Sequence, residues 1–547
     1  MQGMLTRARA ANRQIRLLRK TSRREPVQGG FTRLDALLLL LTAVFGLAHI
    51  PSGFFSDQAL FAVGARMMDR GAVMYRDFWD IKQPGIYGFY WLGGRLFGFN
   101  DVGIHAFELL YLLVLAALCL RILRGYFHRR WALSLVPLLT VGMYYAVSGD
   151  LHLTQVEGLV GAPLLISCWG AAQASERERG WRYLLLSGVA GGVVVLFKLV
   201  LAPILAGFWL VVLLYRTRLW RQNPLRAAVE TVLPIAAGVL VPVLPVCAYF
   251  FHKQMLGVLY YATFSYPVEV ARAMTGPGWG RLFHSALWFV RSFAPLIAFG
   301  FLGAALSLKR SRDAMTACLT AWVVCAFGVI AMQYLSWWEY HFMLLFLPVG
   351  ILGAKGIEYL WEQITRESDT SASRALAATT IALLFLPALM GMSWKTAMLA
   401  RHHFAFTAER RSAYHACINP KYRGWERSAE FARRDANGTV FVFGEPVLYQ
   451  MSGRDPALSA TTPDGQVMTP KAWAQLDEEL KQKLPMYVFV QETSDEYDLR
   501  LHSPETLALI QSRYHAVHAC QLGTWYRRNG VESIAGAGIP GGGKTER

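Results

Sequence analysis

Charged side chains are few. They make up 17% of the 547 residues, against 54% hydrophobic. Soluble domains carry about 25% charge, so this composition excludes an ordinary soluble protein and predicts many membrane spans. Acidic residues are fewer than basic ones, 37 against 55, and the formal charge is +18. That balance alone would suit a nucleic-acid partner. The basic residues, however, sit in short clusters between apolar runs, as cytoplasmic loops do under the positive-inside rule. A nucleic-acid partner is set aside on that ground. Cysteine is sparse too. Cys119, Cys168, Cys247, Cys318 and Cys325 lie inside apolar runs and read as small hydrophobes. Cys417 and Cys520 lie in the polar C-terminal part, where a disulfide between them stays open. No CxxC or Cys/His spacing points to zinc. The basic start, Arg7 to Arg24, is followed by an apolar run without a small-residue cleavage site, so it reads as a cytoplasmic tail rather than a signal peptide. Gly538 to Thr545 matches the P-loop pattern. It lacks the preceding strand and following helix that phosphate binding needs, and reads as a Gly-rich disordered tail.

Apolar stretches near the roughly 20 residues needed to cross a bilayer fall at 34–50, 102–123, 131–148, 156–174, 183–198, 199–215, 229–251, 284–307, 314–334, 341–360 and 375–393. The expectation is a polytopic α-helical membrane protein of about eleven spans. The clusters Arg124–Arg130, Glu176–Arg182, Arg216–Arg221 and Lys309–Arg312 then share one side with the N-terminal tail, and that side is the cytoplasm. This divides the chain into a basic tail (1–33), a membrane domain (34–393) with outside loops 51–101 and 252–283, an extracytoplasmic α/β domain (394–535) and the tail 536–547. In the α/β domain, Glu426–Arg434, Lys471–Lys483 and Pro504–Ser512 read as helices, the last with Ser503 as N-cap. Thr439–Phe443, Met486–Gln491, Tyr514–Cys520 and Gly523–Arg528 read as strands.

The first outside loop holds the densest chemistry. Residues 58–70 have helical spacing, with Leu60, Phe61, Val63, Gly64, Met67 and Met68 on one face, which suits a helix in the membrane interface. Asp57 stands at its start, as an N-cap, a general base at the membrane surface, or both. Then Arg76, Asp77, Asp80 and Lys82 alternate with aromatics ahead of Pro84-Gly85. Arg76 and Lys82 suit phosphate oxygens. Asp80 suits a divalent metal, or an ion pair with Lys82. The bland alternative is a set of interfacial ion pairs. Further polar residues lie at outward span ends: Asp150, His152, Gln155, Glu157, Lys198, Glu339 and His341. Ionisable groups at such depths are functional candidates by default.

These elements resemble the GT-C superfamily of membrane glycosyltransferases, in particular the protein mannosyltransferase and aminoarabinose transferase group, over roughly residues 30 to 360. Asp57-Gln58 stands where that group has an acidic pair, Lys82-Gln83-Pro84 where it has a Lys-Pro-Pro-like element, and Glu157 where it has an acid before the fourth span. Gly188 to Lys198 matches a Gly-rich span ending in Phe-Lys, and Tyr340-His341-Phe342 through Pro348 an aromatic-His-Tyr-Phe element. The resemblance implies inverting transfer from a polyprenyl-phosphate sugar to a lipid, glycan or protein acceptor, on the periplasmic face of a cell inner membrane. It implies Asp57 as general base. Lys82, Arg76 and Lys198 would hold the donor phosphate, and Asp80, Glu157 and His341 would shape the site or help hold a metal. Tyr87, Glu339 and His152 would contact acceptor or membrane lipid. Gln58 departs from the acidic pair, which puts a divalent metal, and with it any cofactor, in question. Two other readings stay open: a transporter or flippase of lipid-linked sugars, and a non-catalytic relative in envelope assembly.

Overall fold

The computed structural model describes residues 30–530 apart from 178, 274–275, 277, 312, 368–369, 436–437, 462, 464–466 and 493. The basic tail, the P-loop match and the expected disorder from 536 onward lie outside the described residues. All eleven apolar stretches fold as helix. Six helices are long and apolar enough to cross a membrane: Asp101–Ile122, Arg130–Val147, Pro224–His252, Trp279–Lys309, Ala314–Met332 and Glu339–Thr365. The pair Ser371–Leu384 and Leu386–Arg401, bent by 53°, makes a seventh if it is one span. Trp181–Phe197 and Leu199–Tyr215 are shorter apolar helices.

The chain forms two compact units. The first contains residues up to Ile50, Glu108–Ala248 and Pro277–Ala397. Its helices approach closely at glycines, as membrane helices do where small residues let backbones meet. A Cβ on Gly303 would stand 2.4 Å from the Leu352 carbonyl oxygen, and one on Gly356 would overlap that of Phe299. Pro234, Pro242 and Pro245 all lie inside the helix Pro224–His252, which a bilayer tolerates better than water does.

The second unit gathers Pro51–Phe107, Tyr249–Gly276 and the chain from Met398 onward. The two loops expected outside and the C-terminal region therefore fold together. Its sheet has the order β1 (Val440–Phe443), β2 (Tyr487–Gln491), β4 (Gly523–Arg528), β3 (Tyr514–Cys520). β1 and β2 are parallel and the other pairs antiparallel. Phe441, Phe443, Val488 and Val490 pack with Trp473, Leu476, Leu480 and Ile510 into one core. The four expected strands are present within a residue. The helices Ala408–Ile418, Val447–Ser452 and Ser494–His502 carry no periodicity that marked them beforehand. Ser503 occupies the expected cap position, but its hydroxyl donates to Asp477 instead of capping the helix. Cys417 and Cys520 are free thiols.

Candidate active site

In the second unit, α1 (Asp57–Asp69) and α2 (Pro84–Phe97) lie against each other. Gly64 makes the fit: a Cβ there would stand 2.4 Å from Tyr87 and 2.9 Å from Phe78. Two features of α1 differ from expectation. Asp57 is its first residue, not its cap. Ser56 holds the cap position with φ +38° and makes no side-chain cap bond. The helix is also buried from Gln58 to Met67, with no apolar face left for a membrane interface. The C-terminal region covers it. Arg66, 8% exposed, donates to Asp455 at 3.0 Å and to the Arg454 carbonyl at 2.7 Å. Burial pushes the Arg66 guanidinium down while Asp455 pulls it back up. Arg70 reaches Asp455 at 2.6 Å.

The loop between α1 and α2 turns at Tyr75, whose φ is +68°. Two non-glycine residues with positive φ, Ser56 and Tyr75, thus flank the acidic groups, and such strain concentrates at functional sites. Tyr75 donates its hydroxyl to the Lys82 carbonyl at 2.8 Å, and burial, with Asp80 nearby, raises it well above the ordinary tyrosine range. Lys82 Nζ then lies 3.2 Å from Asp57 Oδ1 and 4.0 Å from Asp80 Oδ1. Asp80, 7% exposed, accepts from the Tyr87 hydroxyl at 2.9 Å. Tyr87 is fully buried, which raises it strongly, with Asp80 adding to the effect.

Asp57, Asp80 and Lys82 line one cavity of about 540 Å³. The rest of its lining comes from the loop 252–283, through Tyr261 and Tyr266, and from α3 (Pro470–Lys483), through Lys471, Gln475 and Glu479. The walls are stitched together. The Trp79 N–H donates to the Ser459 carbonyl at 2.8 Å, Glu479 accepts from the Ser459 N–H and hydroxyl, and the Tyr266 hydroxyl donates to the Val467 carbonyl at 2.8 Å. Trp79 packs edge-on against Tyr266, with centroids 5.3 Å apart.

Of the residues singled out beforehand, Asp57, Asp80 and Lys82 meet at this cavity. Tyr87 joins them from beneath, as support for Asp80 rather than as a surface for acceptor or lipid. Arg76 does not line the cavity; it is exposed and forks onto Asp77 at 2.8 Å. Gln58, in the place of a second acid, is buried and accepts from the Phe55 N–H at 2.8 Å, so it holds the turn into α1. The first unit contains a separate polar group. Lys198 lies 2.6 Å from the buried Glu157 and 2.5 Å from Gln333 Oε1. His341 Nε2 is 3.9 Å from Glu157. Glu339 faces His152 at 3.4 Å and His284 at 3.2 Å, and His152 stacks on Trp288. The buried Glu108 accepts from the Tyr144 hydroxyl at 2.7 Å and the Thr154 N–H at 2.6 Å. Among the described residues no three His, Cys, Asp or Glu side chains form a set able to hold a metal. Asp57 and Asp80 have an ammonium between them, which is a poor arrangement for a dication.

Sequence reasoning missed Lys471, Gln475 and Glu479, although their spacing puts them on one face of an amphipathic helix. It placed residues 252–283 in a loop without assigning Tyr261 and Tyr266 to a site.

The comparisons with known proteins agree with this architecture. Residues 82–249 match the family described as dolichyl-phosphate-mannose-protein mannosyltransferase. No curated protein matches the chain. The crystal structure of ArnT from Cupriavidus metallidurans bound to undecaprenyl phosphate superposes with a TM-score of 0.58 at 13% identity, covering 90% of this chain and 97% of that one. The apo form of the same protein gives 0.56 at the same identity and coverage. At that identity the likeness speaks for the fold. The resemblance read from the sequence therefore holds: the chain has the GT-C fold of ArnT, and part of it carries the mannosyltransferase family's sequence pattern.

Proposed function

We propose that the protein is a glycosyltransferase that moves a sugar from a polyprenyl-phosphate-linked donor to an envelope acceptor, on the periplasmic face of a cell inner membrane. The observation that carries the proposal is the meeting of Asp57 and Lys82, 3.2 Å apart, in the wall of one cavity. The undecaprenyl phosphate bound by ArnT supports a donor of that class.

The chemistry needs only groups that line this cavity. An acceptor hydroxyl oxygen forms the new bond to the anomeric carbon. Asp57 takes its proton as general base. The bond from the anomeric carbon to the phosphate oxygen breaks, and its electron pair leaves with the lipid phosphate, inverting the carbon. Lys82 offsets the charge gathering on that phosphate, as a cation placed where charge develops. Asp80, fixed by Tyr87, keeps the Lys82 ammonium over the cavity. No step is routed through a metal.

Mass analysis of envelope glycans tests the function. A strain lacking the protein should lose one sugar from one envelope species and regain it when the gene is restored. Unchanged glycans would remove the proposal. Accumulation of untransferred lipid-linked sugar on the cytoplasmic side would favour a flippase instead.

A further inference from the structure

The lining that α3 supplies goes beyond the chemistry of transfer. α3 presents Lys471, Gln475 and Glu479 at intervals of four residues, so all three fall on one helix face, and all three line the cavity. Their situations differ. Glu479 is engaged: it accepts from Ser459 and lies 2.7 Å from Lys483. It thereby fixes the strand-like segment on which the Trp79 backbone hangs. Lys471 and Gln475 are exposed at the rim. Lys471 has no carboxylate within ion-pair distance among the described residues, and its ammonium lies over the Tyr261 ring, 5.4 Å from the centroid. Trp79 and Tyr261 are half-buried, 6.2 Å apart, and both line the cavity. The cavity thus has a half-exposed aromatic wall, a neutral amide and a cation that no carboxylate of the described residues meets within ion-pair distance.

Aromatic faces beside a few placed polar groups are how concave sites fix the orientation of a ligand. Polar rings with apolar C–H faces, which is to say saccharides, fit such a wall. In the proposed reaction the donor brings one anion, its lipid phosphate, and Lys82 is the cation placed beside the base. Lys471 is a second cation lining the cavity, contributed by α3 rather than by the loop that holds Lys82, and it suits a second anion, which belongs to the other substrate. We propose that α3 reads the acceptor, and that the acceptor is a saccharide carrying a phosphate or a carboxylate. Its ring packs on Trp79 and Tyr261, its anion meets Lys471, and a hydroxyl meets Gln475. This rests on the reading of the cavity as a sugar-transfer site.

The test is a binding measurement on the full chain in detergent, independent of turnover. Tryptophan fluorescence and calorimetry would follow titrations with glucose, glucose 6-phosphate and glucuronic acid. At least one anionic sugar should bind about tenfold more tightly than glucose, an increment of about 1.4 kcal/mol. Which one does so separates phosphate from carboxylate. Lys471→Gln should abolish the preference and Lys471→Arg should keep most of it, while Trp79→Ala should weaken all three sugars. Asp57→Asn should keep the preference for the anionic sugar over glucose while transfer is lost, so a failed base assignment and a failed acceptor assignment read differently. Equal binding of neutral and anionic sugars, binding of none, or a preference that survives Lys471→Gln overturns the proposal.

Discussion

Removing the Tyr87 hydroxyl should loosen the site without opening a cavity. Tyr87 is fully buried and donates to Asp80 at 2.9 Å, and Asp80 is itself 7% exposed with Lys82 no nearer than 4.0 Å. Hydrogen bonds to a charged group contribute about 1.5–3 kcal/mol, and Phe fills nearly the same volume. Tyr87→Phe should therefore destabilise the protein by about 1.5–3 kcal/mol. The loss should shrink when Asp80 is already Asn, because the charge that made the bond strong has gone. Urea unfolding of the four members of the Tyr87→Phe, Asp80→Asn cycle, in one detergent and followed by tryptophan fluorescence, gives the coupling directly. A coupling of about 1 kcal/mol or more is expected. Strict additivity would refute the view that Tyr87 positions Asp80.

Other perturbations test the surrounding scaffold. Lys198→Met strands Glu157, which is 1% exposed, and should cost about 3–5 kcal/mol as an uncompensated buried charge; adding Glu157→Leu should return most of the melting temperature, and no recovery would contradict the pairing. Asp455→Ala leaves the buried Arg66 with backbone carbonyls and Gln450. Asp455 is 30% exposed, so solvent screening reduces the loss to about 2 kcal/mol; faster trypsin cleavage after Arg454 should report it, and unchanged cleavage would count against the latch.

The strands of the C-terminal region were legible because Val440–Phe443 and Tyr487–Gln491 are short β-branched and aromatic runs ended by turn residues. The apolar stretches were legible from length alone. Asp57 and Lys82, 25 positions apart, were legible only as parts of a recognised pattern; periodicity says nothing about their contact. The burial of α1 was not legible, since its amphipathic face looks the same whether a bilayer or another part of the chain covers it. Arg66 held the clue, for its partner Asp455 lies 389 residues away. Distance in sequence also hid Lys471, whose helix reads as an ordinary solvated face until Tyr261 and Trp79 are brought to it.

The most direct measurement is sugar transfer by the Asp57→Asn variant in proteoliposomes supplied with a polyprenyl-phosphate sugar and an envelope acceptor fraction. General-base removal typically costs 10²- to 10⁴-fold. Transfer should fall by about that factor while donor binding changes little, because Asn keeps the shape of the side chain and Lys82 stays at the cavity. Transfer at the rate of the unaltered protein would contradict the assignment of Asp57 as the base.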